Sequence, residues 1–233
     1  DEKTYLDKSV IILVLGDADI VHTDTKKSHY NICKAVKAAL NAKSLPVVIG
    51  GDHSINIPCI EAYKDESPFH ILQIDAHLDF VDERHGVRYG HGNPMRRAAE
   101  KDYVSGLTQV GIRNVSSTAK EGYEKAREMG SDIISVRQAR KIGMKNIAKR
   151  IPKGKRLYVT IDIDAFCPSI APLTISTFVI SWLLASNAAP KVVADKVVNV
   201  PTAATSPPIT VPSISPAPIY AVEGSASVPN WSI

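Results

Sequence analysis

Three short stretches place carboxylates and imidazoles where apolar runs end. They are "VVIGGDHS", with Asp52 and His53; "LQIDAHLDF", with Asp75, His77 and Asp79; and "VTIDIDAF", with Asp162 and Asp164. Carboxylates gathered at such strand ends repel one another and lose solvation unless cations hold them. Four of them (Asp75, Asp79, Asp162 and Asp164) balance two divalent ions in formal charge. An oxygen-rich set with a minority of imidazole suits Mn²⁺ better than a thiolate-seeking metal. Two ions sharing carboxylates can lower the pKa of a bridging water and make hydroxide available near neutral pH. Each stretch alone has a plainer reading, as a turn, a helix cap, a packed histidine or a single-cation site. Their joint occurrence favours the metal reading.

Positioning such groups requires strands. Residues two apart in a strand point the same way, so Asp162 and Asp164 are expected to project together. Asp75, His77 and Asp79 share a face only if the extended conformation persists past the strand end. Up to about residue 172 the chain alternates β-branched runs with helical periodicity. "SVIILVLG" reads as a buried strand, and "KKSHYNICKAVKAALNA" as an amphipathic helix with Ile32, Val36, Ala39 and Leu40 on one face. "LPVVIGG", "FHILQIDAH", "GLTQVGIRN", "DIISV" and "RLYVTIDID" read as further strands. "SINIPCIEAYK", "NPMRRAAEKDY", "STAKEGYEKAREMG" (Ser/Thr N-cap, Gly stop) and "RQARKIGMKNIAKRI" read as helices. Continuous apolar strands alternating with helices predict an α/β fold of three α/β/α layers around a mostly parallel sheet, with ligands beyond the carboxyl ends of the strands.

Composition removes several classes of function. A net charge of +4 is spread without a basic stripe, which argues against nucleic-acid binding. Three cysteines without short spacing fit neither a disulfide framework nor a structural zinc site, and a cytoplasmic setting is expected. The most apolar segment, "LTISTFVISWLLASNAA", is short and interrupted by Ser, Thr and Asn, so no membrane partner is expected. From Leu173 the pattern changes to a tail rich in Ser, Thr, Ala, Val and Pro, in which "KVVADKVVNV" reads as one strand. Residues 1–172 therefore read as the α/β domain carrying every metal motif. Residues 173–233 read as an atypical part of the same domain: diverged, frameshifted or mis-sequenced.

"GGDHS", "DAHLDF" and "IDID", in this order, resemble the three metal motifs of the ureohydrolases, the arginase and agmatinase family. "HLDFVDERHGVRYGHGNPMRRAAE" resembles its agmatinase-type branch. The resemblance spans about residues 10–172 and implies an arginase-like fold that here looks incomplete at the N-terminus. It implies two Mn²⁺ per chain, one held by His53, Asp75, Asp79 and Asp162, the other by Asp75, His77, Asp162 and Asp164, with Asp75 and Asp162 bridging. His91, in "YGHGNP", matches the family's proton-shuttling loop histidine, and with Asp75 and Asp162 it forms the expected catalytic set. The implied reaction is hydrolysis of a linear guanidino compound to urea and an amine, as in polyamine metabolism, by a hydroxide bridging the two ions. Phe80 and Val81 follow Asp79 where arginases carry an asparagine that reads the α-carboxylate. This favours an agmatine-like substrate or an ω-guanidino acid; Arg84, Arg88, Arg96 and Arg97 flank the loop and could contact a carboxylate, with surface solvation the plainer role for most of them. A homo-oligomer, trimer or hexamer, is implied as well. Two departures carry the alternative readings. Cys167 replaces the last aspartate of the third motif, and the nearest match to the guanidinium-holding glutamate is Asn199. A neutral amide there fits a catalytically impaired metal-binding homologue with an interaction or regulatory role. A formiminoglutamate-type amidinohydrolase shares the same metals.

Overall fold

Asp24 starts the first long helix by accepting from the Lys27 amide at 2.9 Å, and the helix, α1 (Thr25–Asn41), buries the stripe Ser28, Ile32, Val36 and Ala39. That stripe follows the predicted periodicity, with Leu40 half-buried at its edge. The computed structural model describes residues 11–66, 68–114 and 117–166, and the backbone of 182–184 and 218–223. In chain order the other elements are β1 (Ile11–Asp17), β2 (Leu45–Val48), α2 (Asn56–Glu61), β3 (Phe69–Ile74), α3 (Pro94–Ala99), β4 (Val104–Ile112), α4 (Lys120–Glu128), β5 (Ser131–Ser135), α5 (Val136–Ile142), α6 (Met144–Ala148), β6 (Arg156–Ile161), β7 (Trp182–Leu184) and β8 (Pro218–Glu223).

The central sheet runs β5-β4-β3-β6-β7. The first four strands are mutually parallel, and β7 lies antiparallel to β6. Alternation along β3 separates the two covering layers. Phe69 and Ile71 join Leu107, Tyr158 and the apolar faces of α1, α2 and α3 (Ile32, Val36, Cys59, Ile60, Met95) in the larger core. Leu72 points the other way and packs with Val110, Ile134 and Ile147 beside α5 and α6. Three α/β/α layers result, as predicted.

Several expectations are corrected. β1 is not a buried strand of the parallel sheet: with β2 it flanks β8 in a separate antiparallel sheet, and Ile11–Leu15 are 42–65 % exposed. An apolar run shows that a segment can be buried; which sheet it joins depends on partners far away in sequence. α4 has Ala119 at its N-cap and no side-chain cap bond, while Thr118 is buried instead; Gly130 (φ 86°) does follow its end. The single helix predicted over 137–151 is two, broken at Gly143 (φ 75°). "KVVADKVVNV", Cys167 and Asn199 lie outside the described residues. Among the described residues no helix is long and apolar enough to cross a membrane.

Candidate metal centre

Asp75 and Asp162 each stand one residue beyond the end of neighbouring parallel strands, β3 and β6. The sheet ladder carries on through them: the Asp75 amide bonds Val110 O at 3.0 Å, and the Asp162 amide bonds Ile74 O at 2.9 Å. This is where an open parallel sheet places its ligands. His53 arrives from β2 through Gly50 and Gly51, both at positive φ (107° and 67°). It opens a 3-10 turn, His53–Ile55, capped by Asp52, whose Oδ1 accepts from Ser54 N at 2.8 Å.

The segment after β3 is not extended. Asp79 sits at φ 52°, and its carbonyl accepts from Met95 N at 3.1 Å and Arg96 N at 3.3 Å, tying it to the start of α3. The condition for Asp75, His77 and Asp79 to share a face, an extended conformation past the strand end, is therefore not met, and Asp79 Oδ2 instead contacts His53 Nδ1. Asp162 and Asp164 diverge too. Asp162 caps a second 3-10 turn, Ile163–Ala165, by accepting from the Asp164 amide at 3.0 Å, and a 3-10 turn sends its side chains in different directions.

Two groups of potential ligands result. His53, Asp75 and Asp162 form a buried one. Asp75, His77 and Asp164 form one nearer solvent, and within each group the ligand atoms lie within 4.8 Å of one another. Asp75 belongs to both: Oδ2 is 3.3 Å from His53 Nδ1, and Oδ1 is 3.7 Å from His77 Nδ1. His77 Nδ1 is also 2.7 Å from Asp164 Oδ2. Both imidazoles turn Nδ1 inward and are held from behind. His53 Nε2 lies 3.1 Å from Thr160 Oγ1, and His77 Nε2 lies 2.7 Å from the Asn114 amide. Ala76 N donates to Asp164 Oδ1 at 3.1 Å, and Arg113 donates to the Asp164 carbonyl.

The electrostatics call for added positive charge. Burial lifts Asp75 to about 6, with Asp79 adding to the rise and His77 and His53 opposing it. Burial, then Asp75, lifts Asp162 to about 6 as well. Burial disfavours a charged His53, yet Asp79, Asp75 and Asp162 outweigh it and raise the imidazole to about 9. Hydrogen bonds to Asp164 and Asp75 raise His77 to about 10. Burial pushes the Asp164 carboxyl up, but the His77 bond and the Ala76 amide bring it below its ordinary value. The cluster thus draws protons onto its two imidazoles, the charge that divalent cations would otherwise supply. The donor set of carboxylates and Nδ1 lone pairs fits such ions.

His91 lies apart, exposed on the loop before α3. It lines a cleft with Val81, Arg84 and Val87. Arg84 and Val87 exchange backbone hydrogen bonds of 2.9 Å across His85 and Gly86, both at positive φ (50° and 79°), which makes a tight hairpin of that rim. Of the four arginines near this loop, Arg88 and Arg97 pair with Asp82 at 2.9 and 2.5 Å, and Arg96 pairs with Glu100 at 2.9 Å. Arg84 faces the cleft.

Sequence reasoning missed Thr160, Asn114, Gln73 and Gly111. A polar residue inside an otherwise apolar strand, Gln73 in "HILQI" and Thr160 in "LYVTI", was the available signal. Gly111 (φ 97°) lets β4 approach the site, since a Cβ there would lie 2.9 Å from Asp75 O.

Comparison with known proteins gives a family match and a fold match. A model of the Arginase family matches residues 2–180. The chain is 34% identical over 145 residues to Arginase 1, mitochondrial, of Oryza sativa subsp. indica, covering 60% of this chain and 42% of that protein. It is 31% identical over 176 residues to the human Guanidino acid hydrolase, mitochondrial, covering 72% and 49% respectively. Among solved structures, formimidoylglutamase from Bacillus subtilis superposes with a TM-score of 0.61 at 29% identity, over 68% of this chain and 52% of that one. The chain spans about half the length of the curated relatives it matches.

Proposed function

The chain belongs to the arginase family, and on that premise we propose that it hydrolyses a linear guanidino compound, agmatine-like or an ω-guanidino acid, to urea and an amine. The observation that carries this reading is the pair of His/Asp groups meeting at one buried carboxylate, Asp75. We assign one manganese ion to His53, Asp75, Asp79 and Asp162, and a second to Asp75, His77, Asp162 and Asp164. Ions held there would supply Lewis acidity and lower the pKa of a water, which a weakly electrophilic guanidinium carbon requires.

The rest falls to the chain's own residues. Thr160 and Asn114 hold the two imidazoles with Nδ1 inward. The carbon–nitrogen bond to the amine breaks as water adds across it, and the departing amine needs a proton. His91, exposed at the cleft, is the residue we assign to deliver it. Phe80 is fully buried with the Arg96 guanidinium 5.7 Å from its ring centroid, and Val81 lines the cleft, so these two offer an α-carboxylate no polar contact. This supports a decarboxylated or ω-guanidino substrate over arginine.

The likeness to formimidoylglutamase favours one second reading, hydrolysis of a formimino group on the same carboxylates. Purified protein incubated with Mn²⁺ and agmatine, guanidinobutyrate, guanidinopropionate, arginine or formiminoglutamate separates them. Urea from one of the first three supports the proposal, and formamide from the last supports the second reading. Bound manganese with no turnover of any substrate would leave the impaired homologue. A cytoplasmic homo-oligomer remains part of the proposal, to be tested by fractionation and light scattering.

A further inference from the structure

Gln73 and Gln109 are both completely buried, in a sheet interior that is otherwise apolar apart from a few hydroxyl and imidazole groups. They are direct register partners on β3 and β4, and Thr160 on β6 is Gln73's partner on the other side. Parallel partners point to the same face, so a row of polar side chains, Thr160–Gln73–Gln109, crosses three strands just beneath the candidate ligands. Thr160 backs His53, as described. The two amides have a different target.

Gln73 Nε2 donates to Asp75 Oδ2 at 2.6 Å and to His77 O at 3.3 Å. Gln109 Nε2 donates to Gln73 Oε1 at 2.5 Å and to Leu78 O at 2.8 Å. Backbone carbonyls only accept, so Leu78 O fixes the orientation of the Gln109 amide and His77 O that of Gln73. The relay therefore has one direction, from Gln109 to Gln73 to Asp75. Gln109 Oε1 is left buried without a hydrogen-bond partner among the described residues. A fold that tolerates an unsatisfied buried acceptor has a reason to keep the amide, since apolar side chains would fill a sheet interior at lower cost. Asp75 is thereby held at both oxygens. Oδ2 takes the Gln73 bond and faces His53, and Oδ1 takes the His77 amide at 2.6 Å and faces His77.

We propose that Gln73 and Gln109 are positioning residues: a one-way amide relay that fixes how the shared carboxylate Asp75 divides its two oxygens between the two ligand groups. This rests on the reading of those groups as ion sites. The same bonds to His77 O and Leu78 O pin the loop that carries His77 and Asp79, which β3 no longer holds.

Mn²⁺ and Co²⁺ binding, without turnover, tests it. Mn²⁺ affinity would be measured by equilibrium dialysis, and Co²⁺ visible absorption would report ligand geometry, for wild type, Gln73→Leu, Gln109→Leu and the double variant, with folding checked by circular dichroism. The expected result is a loss of about ten-fold or more in ion affinity for Gln73→Leu, with an altered Co²⁺ spectrum. Gln109→Leu gives a smaller loss, and the double variant loses less than the sum of the two, because the part of the Gln109 effect that passes through Gln73 is already gone when Gln73 is Leu, which leaves only its bond to Leu78 O. Should Gln73→Leu fail to fold, Gln109→Leu, one strand further from the ligands, carries the test by its own loss of affinity. Unchanged affinity and spectrum in a folded variant, or independent additive losses, would overturn the relay while leaving the proposed function standing. Wild-type protein that binds neither ion would overturn both.

Discussion

Asp162 and Asp164 are separated by one residue, yet their carboxylates gather in different places: Asp162 lies with His53 and Asp75, and Asp164 with His77 and Asp75, so that of the two only Asp162 is proposed for both ions. The division follows from the 3-10 turn: the Asp162 side chain is engaged as its cap, accepting from the Asp164 amide at 3.0 Å, while the Asp164 side chain reaches His77 and the Ala76 amide. Asp164→Asn should therefore spare the buried group and bind one manganese per chain in place of two. Urea release should fall by on the order of a hundred-fold or more, since the proposed reaction draws on both ions. Metal analysis after equilibrium dialysis gives the count, and two ions retained by a folded Asp164→Asn would refute the division.

Thr160 and Asn114 touch the far nitrogens of His53 and His77, at 3.1 and 2.7 Å. A partner behind a ligating imidazole sets its tautomer and aim, and losing one costs about 10–100-fold in metal affinity. Thr160→Val, nearly the same shape, should weaken Mn²⁺ binding in that range with little change in thermal midpoint. Asn114→Ala should act on the His77 group alone. Affinities within two-fold of wild type would show that the imidazoles are held by packing instead.

The residues that gather at the candidate site were legible in the sequence because carboxylate and histidine at a strand end are local signals. Asp75 and Asp162 did prove to be neighbours beyond adjacent strands. Their grouping was not legible: it depends on a left-handed Asp79 and on a 3-10 turn after β6, neither of which shows as periodicity. The support was less visible still. Gln73, Gln109 and Thr160 meet only because three strands far apart in sequence pair in one register. The same dependence hid the second sheet, where β1 reads as a core strand until its partner, β8, is known.

His70 gives a pH signature independent of the ligands. It lies on the opposite face of β3 from Gln73, buried, with Nε2 2.9 Å from Thr108 Oγ1. Burial, then Lys155, depresses its pKa, against a smaller upward pull from Asp132. The unfolded chain, near 6.5, binds a proton that the folded chain refuses, so His70 contributes stability that is present above about 6.5 and lost as pH falls through the folded value. His70→Gln removes the titration and keeps a group able to bond Thr108. Thermal midpoints of wild type and variant should therefore converge or cross between about pH 7 and 5. Parallel curves across that range would show that His70 does not titrate differently on folding.

Gly111 occupies the irregularity between Val110 and Ile112 where β4 pairs with β5, at φ 97°, and a Cβ would stand 2.9 Å from Asp75 O. Alanine there meets two separate penalties. Positive φ strains an L-residue by roughly 1–2 kcal/mol, and the methyl must push the Asp75 backbone, which carries the shared carboxylate. Gly154 separates the two effects: it has φ 74° and open space around its Cβ position. Gly154→Ala should lower the thermal midpoint by a few degrees and leave Mn²⁺ affinity unchanged. Gly111→Ala should lower both, with affinity down about ten-fold or more, because the displaced residue is the one both groups share. Equal effects of the two variants on ion binding would mean that β4 does not set the position of Asp75.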